Sequence, residues 1–286
     1  MLLISDLIVL STGIPKKIKF TQLKKHGLRQ TLGLIGLTSL ITLISFTFSA
    51  YGQNASSQNE MSGMDKTAMG NMGTGEQEVA HPFFTHMGMP EGVGVYSLRL
   101  GGLLTRSDGK TDPDFAFHFE TGLTDFVGVH LRNNAVLSDP HTELMFQFAV
   151  VKSKDGMSGF APIIEFEFPT HSGGDRHINT LVGFSTALAN AKASFNQVLH
   201  YDPRVEMVEG SAAVVVKLGS RLFPVVEISG EGMSGEHTMI NLLAGMKVRV
   251  NKLLLVGLAV QAPVTERKDF TWQFALEPEM EWGKMK

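Results

Sequence analysis

His118, Glu120, His130 and Arg132 fall within one stretch, DFAFHFETGLTDFVGVHLRNN (residues 114–134), and alternate there with Phe115, Phe117, Phe119, Val127, Val129 and Leu131. In extended chain successive side chains point to opposite faces, so the four ionisable groups share one face and the six apolar groups the other. Folded back about its short polar break, the stretch has two registers that keep like faces together. One sets Glu120 against His130 and His118 against Arg132; the other sets His118 against His130. Opposed residues of an antiparallel pair hold their Cβ atoms about 4.5–5.5 Å apart, so either register gathers imidazole, carboxylate and guanidinium. Such a cluster can contact a solute or ion, with histidine adding sensitivity to pH near neutrality. It can equally do no more than cross-link a narrow interior.

A second set suits metal chemistry. Six of the 15 methionines, Met61, Met64, Met69, Met72, Met87 and Met89, lie between Gln53 and Gly92 together with His81 and His86. Thioether and imidazole ligands suit Cu(I) or another soft or borderline metal ion. The stretch has few Val, Ile or Leu with which to offset chain entropy, so it reads as a mobile arm able to wrap an ion. The plainer alternative is that methionine is mere composition in a polar tail.

A third set is purely charged: the ladder Glu277, Glu279 and Glu281, the pair Glu165 and Glu167, and the basic pair Lys247 and Arg249. These are expected to meet across a shared interior, where paired charges narrow the passage and unpaired acids favour cations. Carboxylates two apart on a strand share a face, but a glycosidase needs two flanking a substrate bond. The chain has neither Gly-Xaa-Ser-Xaa-Gly nor His-Glu-Xaa-Xaa-His nor a phosphate-cradling glycine loop, and its absence of cysteine removes thiolate nucleophiles and disulfides. No enzyme is expected.

The elements that must position these residues follow from the order of the chain. A basic stretch, PKKIKFTQLKKHGLRQ, precedes the 17-residue apolar run Leu32–Phe48, and Ala50 and Gly52 then offer small residues before Gln53. That order is a secretory signal, with an uncleaved anchor as the alternative. Residues 1–52 carry six Lys/Arg and one acid, which leaves the rest of the chain at a formal charge of −8. Such a surface does not suit nucleic acid. The expected organisation is a leader over 1–52, a flexible arm over 53–92 and a β domain over 93–286.

Beyond residue 92 period-two segments recur between Gly, Asp, Asn and Pro clusters. About twelve strands are expected, at 93–105, 114–123, 126–136, 142–153, 160–169, 178–190, 192–201, 209–218, 221–230, 239–250, 252–263 and 270–282. One face is repeatedly oily and the other repeatedly charged. A soluble sandwich gives the same local pattern. A membrane barrel puts the oily face to lipid and the charged face in its lumen, with strands of about 9–11 residues in even number. Strand number, strand length and the export signal favour the barrel: an all-β, antiparallel transmembrane β-barrel of about 12 strands.

The segments HPFFTHMGMPEGVGVYSLRL, DFAFHFETGLTDFVGVHLRNN, TELMFQFAV, FAPIIEFEFPT, HYDPR, RLFPVVEISGE and LLLVGLAVQAPVTERKDFTWQFALEPEMEW together resemble the outer-membrane transporter-like proteins of the meta-pathway phenol-degradation family. The similarity runs over residues 81–282. It implies a barrel in the outer membrane of a Gram-negative bacterium that handles a small solute, and it supplies no set of catalytic residues. The Met-Xaa-Xaa-Met units MSGM and MGNM resemble, loosely, the leading segments of copper-tolerance outer-membrane proteins. Metal cations such as copper and aromatic or apolar compounds are therefore both candidate solutes. The alternative is an exported, non-transporting barrel that sequesters metal or serves as structure. The expected partners are outer-membrane lipid and the barrel-assembly machinery, for which Trp282 stands near the C-terminus in place of a terminal aromatic.

Overall fold

The structure, a computed structural model, describes residues 79–138, 141–154, 156–169, 177–233, 236 and 238–283. It is all β: β1 (Val95–Ser107), β2 (Lys110–Gly122), β3 (Val127–Asn133), β4 (His141–Phe148), β5 (Val151–Lys152), β6 (Gly159–Pro169), β7 (Asn179–Asn190), β8 (Ala193–Asp202), β9 (Met207–Val216), β10 (Leu222–Met233), β11 (Met239–Arg249), β12 (Leu254–Pro263) and β13 (Trp272–Gly283). Each pairs antiparallel with its neighbours, β1 with β13 and β4 with β6 complete the circle, and the two-residue β5 prolongs the line of β4 against β6. The result is a closed barrel of twelve long strands. Among the described residues its long strands have no free edge on which another chain could pair, and only the two-residue β5 is paired on one side alone.

Two boundaries differ from the sequence expectation. SDGKTDPD reads as a loop, yet β1 and β2 run on through most of it and turn at Asp108–Gly109, both with positive φ (48° and 78°). A two-residue hairpin of that hand matches the twist of its strands, and Asp-Gly supplies it. The segment 142–153, expected as one strand, breaks between β4 and β5.

The hairpin of β2 and β3 takes the first of the two registers, with Glu120 opposite His130 and His118 opposite Arg132. Facing outward are Phe115, Leu131, Ile164, Val226, Met246, Leu258, Leu276 and Met280, all exposed. At the rim that holds both ends of the barrel, Tyr96 stacks on Trp282 at 6.0 Å and on Phe119 at 6.3 Å. An outward apolar band edged by aromatics fits hydrocarbon flanked by headgroups. No helix among the described residues is long and apolar enough to cross a membrane, which says nothing of strands.

The interior is not an empty polar pore. Eight strands enclose a space that side chains just fill, so twelve leave room for more. Val79–Gly92 takes that room. Val79, Ala80, Pro82, Phe83, Thr85, Met89 and Pro90 are buried inside the barrel. Val79, Ala80 and Phe83 pack with Leu103, Val215, Phe223, Val225, Leu243, Leu255 and Ala259 in an apolar core on the inner wall. The expected boundary at residue 92 therefore does not divide a free arm from a barrel, because Val79–Gly92 belongs to the barrel's core. The leader, residues 53–78 and with them Met61, Met64, Met69 and Met72 lie outside the described residues.

Candidate functional site in the lumen

Strand register brings the inward charges into rows. Glu279 lies opposite Arg99, Arg99 opposite His118, His118 opposite Arg132, Arg132 opposite Glu143, and Glu143 opposite Glu167. A second row runs through Glu281, Ser97, Glu120, His130, Met145 and Glu165. Opposed unlike charges each contribute about 0.2–1 kcal/mol on a sheet. Here burial raises the stakes. Removing one partner of a buried pair costs about 3–5 kcal/mol, because the other charge is stranded.

Arg99, fully buried, donates to Glu120 and to His118 Nδ1, and its Nη1 donates to Pro82 O at 2.7 Å and Phe83 O at 3.2 Å. Lys247 Nζ donates to Glu277 Oε1 and Glu279 Oε2, both at 2.7 Å, and to Pro82 O at 3.1 Å. It reaches β13 because Gly257, opposite both Lys247 and Glu277 on the intervening strand, has no side chain in the way. Glu165 and Glu167 do not meet Lys247 and Arg249 as expected. Arg132 pairs with Glu143, and Glu167 accepts from Asn179 Nδ2 at 2.9 Å, while Arg249 lies over the Phe223 ring at 5.0 Å. The pairings follow strand adjacency, and β6 lies far around the barrel from β11.

The inner segment is tied to the wall by polar bonds on several sides. Glu227 of β10 accepts from the backbone N–H of Phe83, from Phe84 N at 3.0 Å, from Thr85 N at 2.8 Å and from Thr85 Oγ1 at 3.0 Å. Asn196 Oδ1 accepts from Gly88 N at 2.9 Å, Gln147 Nε2 donates to Met87 O at 2.9 Å, and Arg132 Nη1 donates to Phe84 O at 3.1 Å. His81 donates through Nδ1 to Glu279 Oε1 and through Nε2 to Glu91 Oε1, both at 2.6 Å. Burial opposes charge on His81, but Glu279 and then Glu91 outweigh it and hold its pKa well above the ordinary value of 6.5. His81 is thus an imidazolium clamped by carboxylates. Neither nitrogen is left to a metal.

His86 is different. Burial, followed by the nearby Arg132 guanidinium and the surrounding imidazoles, holds it well below the ordinary histidine value, so it stays neutral. Neither of its ring nitrogens has a hydrogen-bond partner. It stands among His118, His130 and His200, with ring centroids 4.9, 5.3 and 6.2 Å away. Met89, by contrast, packs in an apolar cluster with Ala149 and Ala187. His86 of the expected arm thus meets the histidines of the β2–β3 hairpin, whereas His81 is held by carboxylates and Met89 packs against alanines.

Above His86 a cavity of about 310 Å³ reaches the rim opposite the chain ends, where Asn134, Ala135 and Phe270 border it. Arg132, Glu209, Ser211, Glu231, Asn241 and Gln261 give it a polar wall, and His86 and His200 also line it. Sequence reasoning passed over Arg99, Gln147, Asn196, His200 and Glu227. Their only signal was an isolated polar residue on an inward position, as Glu227 is in RLFPVVEISGE.

No family model matches the sequence, and no curated protein does. Among solved structures the chain is similar to the KdgM porin (TM-score 0.48, 8% identity, 64% of this chain and 98% of that one). It is similar to the NanC porin (TM-score 0.46, 9% identity, 66% and 99%). A third similarity is to an outer membrane channel from Pseudomonas putida F1 (TM-score 0.46, 6% identity, 68% of this chain and 97% of that one).

Proposed function

We propose that the protein lies in the outer membrane of a Gram-negative bacterium and admits a small polar solute, metal cations included, through a lumen that Val79–Gly92 closes as a removable plug. One observation carries this reading: the barrel is oily outside and charged inside, with a cavity that runs from one rim down to the plug. The carboxylates of Glu209 and Glu231 and the amides of Asn241 and Gln261 on its wall favour a polar or cationic solute over an aromatic one. Export by the leader over 1–52 and assembly through Trp282, exposed at the end of β13, belong to the same proposal. The tight fastening of the plug favours a second reading, a sealed barrel that transports nothing.

Liposome swelling separates the two. Removing Glu227 takes away the shared acceptor of four donors on the plug, so Glu227→Ala is expected to raise uptake of small polar solutes several-fold over the unaltered protein, with heat-modifiable gel migration showing that the barrel still folds. Vesicles that stay impermeable with both proteins would sink the transport reading.

A further inference from the structure

We infer that His86 of the plug and His118, Glu120 and His130 of the β2–β3 hairpin form a binding site for one borderline divalent transition-metal ion, Zn²⁺ or Cu²⁺. The site goes beyond the channel reading, since it is defined by binding and not by transport. All four residues are buried, and one ligand atom from each lies within 4.8 Å of the others. They come from two distant parts of the sequence. Only the plug's place in the lumen unites them.

The geometry is that of ligands around a single centre. With each imidazole nitrogen about 2.0–2.1 Å from a tetrahedral ion, ring centres stand about 5.2 Å apart. The three histidine rings lie 4.9, 5.3 and 5.8 Å from one another. Donor atoms around such an ion are about 3.4 Å apart, so small side-chain rotations close the site. Glu120 Oε1 already faces His118 Nε2 at 2.9 Å and His130 Nδ1 at 3.5 Å.

Unpartnered atoms point the same way. Both nitrogens of His86 and the Nδ1 of His130 have no hydrogen-bond partner, although a buried polar group left so costs about 1–3 kcal/mol. A metal ion relieves that cost. His86 Nε2 lies 3.8 Å from Glu165 Oε2, itself unpartnered, which leaves Nδ1 for the ion and gives the ring a carboxylate to orient it. His118 joins by turning its ring away from Arg99, which keeps its hold on Glu120 and on the plug carbonyls. Three imidazoles and a carboxylate, with no sulfur, suit Zn²⁺ or Cu²⁺ better than Cu(I). Bound there, the ion would staple the plug to the wall.

The test uses the full chain folded in detergent, stripped with chelator and titrated with Zn²⁺ and with Cu²⁺ against a chromophoric competitor. One ion per barrel is expected, with affinity falling at least a hundredfold in His86→Ala and in His130→Ala, about ten- to a hundredfold in Glu165→Gln, and unchanged in His177→Ala. The Cu²⁺ form should show nitrogen hyperfine coupling that loses one nitrogen in His86→Ala. Absence of binding, or binding that neither His86→Ala nor His130→Ala weakens, overturns the site and leaves the channel reading standing. Binding that depends on these residues in a barrel impermeable to solutes does the reverse.

Discussion

His81 is the residue through which pH should act on the plug. Its imidazolium faces Glu279 of β13, Glu91 of its own segment and Glu120 of β2 at 3.7 Å, and Glu279 in turn faces Lys247 and Arg99. The folded pKa is raised above the ordinary 6.5, so the clamp contributes fully below that value and is lost as pH rises through the folded one. Solute uptake into liposomes should therefore increase on the alkaline side, and His81→Gln should flatten the profile at the higher level. Uptake that rises on acidification instead would show that another group fastens the plug. At this scale the sequence revealed half of the site. Alternation put His118, Glu120, His130 and Arg132 on one face, and composition singled out His81 and His86. That the two sets meet was not legible, because the contact joins residues with no shared period. Arg99 was missed for the same reason: one arginine in YSLRLGG looks like any lumen charge until register sets it between His118 and Glu279.

At the scale of the element, the plug is seated by shape as well as by charge. The Phe83 ring lies against Gly245 of β11 and Gly257 of β12, where an added Cβ would come within 2.6 Å of ring carbons, and Lys247 Nζ lies 4.8 Å from the ring centre. Two adjacent glycines thus make the socket, and burying a phenylalanine contributes about 1.5–3 kcal/mol. Gly257→Val should evict the ring and also fill the gap through which Lys247 reaches Glu277. Uptake should then rise as it does in Glu227→Ala, and combining the two changes should add little, since either one frees the same segment. An unchanged rate in a folded Gly257→Val barrel would mean that Phe83 does not hold the closure. The strands themselves were legible, because exposed apolar residues alternate with inward, mostly polar ones along much of β2, β4, β6, β11 and β13. β10 was less so: Phe223 and Val225 face inward yet are apolar, since they meet the plug and not water. A segment that fills a lumen once leaves no repeat to detect, so Val79–Gly92 read as part of a loose arm.

For the whole molecule, the lengths of the connections set an expected orientation. With β5 counted as the continuation of β4, the connections at the rim with the chain ends, 123–126, 153–158, 191–192, 217–221 and 250–253, run to at most six residues, whereas the longest, 134–140, 170–178 and 264–271, lie at the other rim beside the shorter 108–109, 203–206 and 234–238. Outer-membrane barrels carry short turns on the periplasmic side and longer loops outside. The rim onto which the 310 Å³ cavity opens should then face the medium, so that solute meets the polar wall before the plug. The chain has no cysteine, which makes single-cysteine labelling unambiguous. Lys268 and Ser220 are exposed in connections at opposite rims. On intact cells a membrane-impermeant maleimide should modify Lys268→Cys, and Ser220→Cys only after the outer membrane is breached. The opposite pattern would invert the barrel and place the cavity on the periplasmic side. Equal labelling of both without breaching would put the protein outside the membrane altogether, because only a bilayer between the two rims can make one of them inaccessible.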